Sequence, residues 1–138
     1  MDKIESSIKT IPHSQQSVYN LLSDLSNVER IKDRLPEDKL QELTFDRDSI
    51  SISVNPVGKV AMRIIEREEP KTIKFESADS PVAFNFWIQL LPITENSCKM
   101  RLTIKADVPF FLQSMIKKPL QENIEKIADA LAIIPYAD

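Results

Sequence analysis

The chain has 138 residues, of which 42% are hydrophobic and 28% charged, and it carries a formal net charge of −3. That length and balance predict a single folded domain, residues 1–138, able to bury roughly 68% of its unfolded surface, and they exclude a disordered polyelectrolyte. A mildly acidic chain lacks the basic footprint that nucleic acid demands, so no nucleic-acid partner is expected.

Charged residues follow Met1 directly, as Asp2, Lys3 and Glu5, and no apolar stretch approaches the roughly 20 residues that span a bilayer. The expectation is a cytoplasmic chain without stable membrane insertion. Lys3 to Ile11 reads as one strand, with Ile4, Ser6 and Ile8 on one parity and Pro12 ending it. Ser14 offers an N-cap hydroxyl to a helix reaching about Asp24, with Val18, Leu21, Leu22 and Leu25 as its apolar stripe. Ser26 or Asn27 would cap a second short helix that turns Val28, Ile31 and Leu35 inward and closes at Pro36.

From about Leu40 the period changes to two. Ile50, Ile52 and Val54 alternate with Ser49, Ser51 and Ser53; after the turn Asn55-Pro56-Val57-Gly58, Val60, Met62 and Ile64 alternate with Ala61, Arg63 and Ile65. The pair predicts a β-hairpin. Past Glu69-Pro70-Lys71 comes a strand with Ile73 and Phe75 on one face. Past Ser80-Pro81 comes another, with Phe84, Phe86, Ile88 and Leu90 opposite Asn85, Trp87 and Gln89. Glu95-Asn96-Ser97 then turns into the clearest alternation of all, Cys98, Met100, Leu102, Ile104 and Ala106 against lysine, arginine and threonine.

Asp107-Val108-Pro109 opens the longest helix, since proline is tolerated in a first turn. Its stripe is Leu112, Met115, Ile116, Leu120, Ile124, Ile127, Leu131 and Ile134; Pro119 lies inside and predicts a kink, and Pro135 ends the helix. The fold class is therefore α+β: a strand, two short helices, about six antiparallel strands and a long C-terminal helix.

This order, together with the run Ile8-Lys9-Thr10-Ile11-Pro12-His13-Ser14-Gln15-Gln16-Ser17-Val18-Tyr19-Asn20-Leu21-Leu22-Ser23-Asp24, resembles the START-like superfamily, also called SRPBCC or Bet v 1-like. Members commonly open with a strand, a proline, a Val-Tyr or Val-Trp pair in the first helix and a Leu-Ser-Asp ending. The resemblance implies a helix-grip fold, a curved antiparallel sheet wrapped around the last helix with a cavity between them. Members of that superfamily bind lipids, sterols, polyketides or plant hormones; some are cyclases or aromatases, and others are co-chaperones. One departure is the glycine-rich loop that many relatives carry after an early strand, where this chain has only Asn55-Pro56-Val57-Gly58.

On that frame the space between sheet and helix would be lined by Ile52, Val54, Met62, Ile64, Phe75, Phe84, Phe86, Ile88, Met100, Leu102, Met115, Ile116, Leu120 and Ile127. Flexible methionines and phenyl rings suit an adaptable apolar pocket, and equally suit a core filled to normal density. Asn123 falls in the apolar stripe, where a buried amide needs a partner: a ligand oxygen, an ordered water or a core hydrogen bond.

Catalytic machinery is not apparent. With Gly58 the only glycine, no phosphate-cradling loop can be assembled, and neither a nucleotide nor any other cofactor is expected. One histidine, His13, placed in a solvated loop, and one cysteine, Cys98, exclude an intrachain disulfide and argue against the usual zinc sites. Glu66 shares parity with Met62 and Ile64 and would reach a cavity mouth. Three functional readings follow. The leading one is non-enzymatic binding of a small apolar or amphipathic molecule. The second is a polyketide cyclase-like enzyme using Glu66 or Tyr19. The third is a protein-interaction module with a filled core and an exposed patch near Trp87 or Phe110-Phe111.

Overall fold

A computed structural model describes residues 2–31, 43–54, 58–78 and 83–136. The chain enters as two short strands, β1 (Asp2–Glu5) and β2 (Lys9–Ile11), followed by α1 (Gln15–Leu22), a single 3-10 turn at Leu25–Asn27 and α2 (Val28–Ile31). Six strands follow: β3 (Thr44–Phe45), β4 (Ser49–Val54), β5 (Gly58–Glu68), β6 (Thr72–Ser77), β7 (Phe84–Thr94) and β8 (Ser97–Ala106). A 3-10 turn at Phe110–Leu112 leads into α3 (Gln113–Ala132), which runs through Pro119. The predicted Leu35 and Pro36 of the second helix lie outside the described residues.

The strands form one curved antiparallel sheet in the order β1-β8-β7-β6-β5-β4-β3, with β2 continuing β1 along β8. Alternation fixes which face is core. In β7 and β8 the residues Phe84, Phe86, Ile88, Leu90, Cys98, Met100 and Leu102 are buried, while their neighbours Asn85, Trp87, Gln89 and Lys99 are not. The hairpin read from the sequence is present, with Ile50 opposite Met62.

Two single-residue insertions correct the predicted parities. The opening segment is not one strand: Glu5 pairs with Thr103 but Lys9 with Met100, so four steps on one side answer three on the other. The extra residue forms a bulge. Ser6 is buried there, its N–H donates to the Leu102 carbonyl at 2.9 Å, and its hydroxyl oxygen accepts the Leu102 N–H at 3.0 Å. Ile8 is left exposed. In β5, Ile64 pairs with Phe75 but Glu66 with Lys74. The extra residue moves Glu66 onto the outer face beside Lys74, opposite the expected cavity side.

α1 starts where Ser14 accepts the Ser17 N–H, and it buries Val18, Tyr19 and Leu22. α3 lies against β1, β2 and β8. Ile124, Ala128 and Leu131 join Ile134 and Tyr136 in the same core cluster as Ile4, Ile11 and the β8 residues. Polar contacts fasten the helix at that edge. The Ser7 N–H and hydroxyl donate to the two Glu125 oxygens at 2.9 and 2.6 Å, Lys9 lies 2.6 Å from the same carboxylate, and the Gln121 amide donates to the Glu5 carbonyl at 2.8 Å.

Candidate functional site

Burial divides the residues expected to line a pocket. Ile64, Phe75, Phe84, Phe86, Ile88, Met100 and Leu102 are on the inner face and buried. Phe75 and Phe86 are cross-strand partners whose rings sit 5.4 Å apart, so this part of the inner face is packed on itself. Met62, Ile116, Leu120, Asn123 and Ile127 are only half-buried. The side chains of Ile52 and Val54 lie outside the described residues. Met115 departs from expectation: at 65% exposed it faces away from the sheet. The reason is that α3 meets the sheet mainly along its second half. The stripe that is buried there becomes half-buried toward the first turn, and Met115 lies just outside it.

The half-buried apolar residues come from two walls. Phe45, Ile50, Val60 and Met62 belong to β3, β4 and β5; Ile116, Leu120 and Ile127 belong to α3. Since α3 lies over β1, β2 and β8, it covers the β3–β5 end of the sheet less. A hollow of about 260 Å³ opens at that end, bordered by Thr44, Phe45, Ile50, Ser51, Ala61 and Met62. The Ser51 hydroxyl there is buried without a hydrogen-bond partner among the described residues. Met62 is the residue that the sequence reading and this hollow share. Phe45 escaped the reading because a two-residue strand leaves no periodic signal.

Among the described residues the titratable groups do not assemble an acid–base pair on the inner face. Burial pushes the Cys98 thiol up, which keeps it protonated and poorly nucleophilic. Burial likewise raises Tyr19, with Glu69 adding to the effect. Glu66, displaced by the bulge, is exposed across the sheet from the inner face, so it does not reach the cavity mouth expected of it. Arg67 takes the end position instead, donating to the Ser23 carbonyl at 2.9 Å and to Asp48 at 2.6 Å. Among the described residues no group of three His, Cys, Asp or Glu side chains is placed to hold a metal ion, and no helix is long and apolar enough to cross a membrane.

Two surface expectations also resolve. His13 is not free in solvent but meets the Tyr136 ring edge-on at 5.7 Å. Trp87 is half-buried on the outer face, with the Lys74 and Lys105 ammonium groups 5.4 and 5.9 Å from its ring. Phe110 and Phe111, by contrast, are 89% and 76% exposed.

No family model matches the sequence, and no relative is found among curated proteins. Solved structures do match. Norcoclaurine synthase from Thalictrum flavum superimposes with a TM-score of 0.75 at 14% identity, covering 95% of this chain and 84% of that one. The same enzyme in complex with dopamine and hydroxybenzaldehyde gives 0.72 at 15% identity over the same shares. A START superfamily protein from Mycobacterium smegmatis gives 0.69 at 13% identity, covering 94% of each chain. Likeness at such identities speaks to architecture, and with the curved sheet, the two short helices and the terminal helix in place the chain has the START-like, helix-grip fold.

Proposed function

We propose that this chain is a non-enzymatic, cytoplasmic START-like domain over residues 1–138 that holds a small apolar or amphipathic molecule, lipid- or polyketide-like, between the β3–β5 end of the sheet and the half-buried side of α3. The observation that carries the reading is the pair of half-buried apolar walls, Phe45, Ile50, Val60 and Met62 on one side and Ile116, Leu120 and Ile127 on the other. Apolar surface left half-covered on the sheet and on the helix is where a ligand would gain most, at roughly 25 cal/mol for each Å² removed from water. Ile52 and Val54 extend the first wall in the proposal, and Asn123 offers it one amide from the second. The structural likeness to an enzyme that holds dopamine and hydroxybenzaldehyde adds support, since both compounds are small and aromatic. The buried set around Phe75, Phe86, Met100 and Leu102 would form the floor.

The test is native mass spectrometry of the purified protein, joined to titration with an environment-sensitive apolar dye. A mass adduct that disappears on denaturation, and saturable dye binding that Met62→Trp and Leu120→Trp each abolish, are the expected results. Absence of both adduct and saturable binding in a folded sample overturns the reading.

A further inference from the structure

The solvent-facing side of the last helical segment is not the polar surface that such a face normally presents. Positions 110, 111, 114, 115, 117, 118, 121 and 122 are all exposed, while the positions between them are half-buried, which is the spacing of one helical face. Read from its start, that face runs Phe110-Phe111, Ser114-Met115, Lys117-Lys118, Gln121-Glu122. The first two turns therefore present two phenyl rings and a thioether to water, at 89%, 76% and 65% exposure. Scattered apolar residues on a surface mean little, but three large ones on consecutive turns of one face form a contiguous patch.

Charge selects the occupant. Between residues 109 and 121 the only charged residues are Lys117 and Lys118, in a chain whose net charge is −3. Both lysines are exposed and lie one turn beyond the apolar cluster. The first turn of α3 contains no acidic residue, so nothing there opposes the positive end of the helix dipole. An apolar tip bordered by ammonium groups fits a surface that is oily within and anionic at its rim.

We infer that Phe110, Phe111, Met115, Lys117 and Lys118 form a docking face for anionic lipid bilayers, with the phenyl rings entering the acyl boundary and the lysines meeting the headgroups. The attachment is interfacial and reversible, in keeping with the absence of a membrane-crossing helix among the described residues. It does not depend on whether the interior holds a ligand.

Sedimentation with vesicles of phosphatidylcholine, alone and mixed with phosphatidylserine, tests the inference. The wild-type chain is expected to sediment with the phosphatidylserine vesicles and to be released as ionic strength rises. F110S/F111S should lower that affinity about tenfold or more. K117Q/K118Q should lower it about twenty-five-fold, on the order of fivefold per lysine. All these positions are exposed, so thermal melts should coincide with wild type. Quenching of an F110W/W87F variant by brominated acyl chains should report ring insertion directly. Several results overturn the inference: wild type staying in solution, indifference to phosphatidylserine, or unchanged binding by both double variants. Two more do so by assigning the patch elsewhere. One is a wild-type dimer in light scattering that F110S/F111S converts to monomer. The other is a stoichiometric protein complex lost with the same variant while vesicles are ignored.

Discussion

Ser6 occupies a position where a strand would ordinarily place an apolar residue. Its hydroxyl oxygen accepts the Leu102 N–H that the inserted residue would otherwise leave without a partner. Substituting Ser6 by Ala orphans a buried backbone donor, and the expected loss is about 1–3 kcal/mol of unfolding free energy in a denaturant titration. Ala128 makes the complementary case for volume. It is fully buried where α3 meets the sheet, so Ala128→Leu should destabilise by about 1–3 kcal/mol through overpacking, read from the same titration. The alternation puts Ser6 on the parity of Ile4 without disclosing the insertion, and it leaves Ala128 unmarked. Serine carries no signal for a bulge, and alanine contributes little to an apolar stripe that Ile124 and Leu131 already define.

Between elements, the fastening of α3 to β2 is electrostatic as well as apolar. The Lys9 ammonium beside Glu125, helped by the Ser7 hydroxyl and N–H, holds the Glu125 carboxyl down to about 2, against an ordinary value of 4.5. A carboxylate depressed on folding contributes stability that is complete above its unfolded value and is lost as pH falls through the folded one. The window is therefore from about pH 4.5 down to about pH 2. Because the Glu125 side chain is 34% exposed, solvent screening limits the effect to about 1 kcal/mol. Glu125→Gln should remove it, flattening the acid limb of a stability profile across that window without changing the loss from other carboxylates. Element by element, much of the fold was readable. The strands β4 to β8 and the helix α3 announce themselves by periods of two and of about 3.6. The bulges at Ser6 and after Ile64 were not readable, because one added residue reverses the parity that follows it while leaving composition untouched; Glu66 was assigned to the wrong face for that reason. Met115 shows a related limit: periodicity gives the stripe of a helix but not how far along its length the partner surface extends.

At the scale of the whole molecule, the walls of the proposed site were legible as apolar alternation, but the space between them was not, since volume depends on how sheet curvature and helix position combine. Occupancy has a thermodynamic signature. A ligand present at a hundred times its dissociation constant adds about 2.7 kcal/mol to the folded state, on the order of 8 °C in melting temperature for a chain of this length. Differential scanning fluorimetry against an apolar compound series reads that directly, and Leu120→Trp should cancel the shift. The placement of Trp87 bears on how such screens are conducted. The sole indole of the chain sits beneath two lysines on the convex side, with the sheet itself between it and the interior. Intrinsic emission is therefore an optical channel blind to filling of the cleft and open to whatever touches the back of the sheet, so a quenching titration that stays flat while the melting temperature climbs is the pattern this geometry dictates.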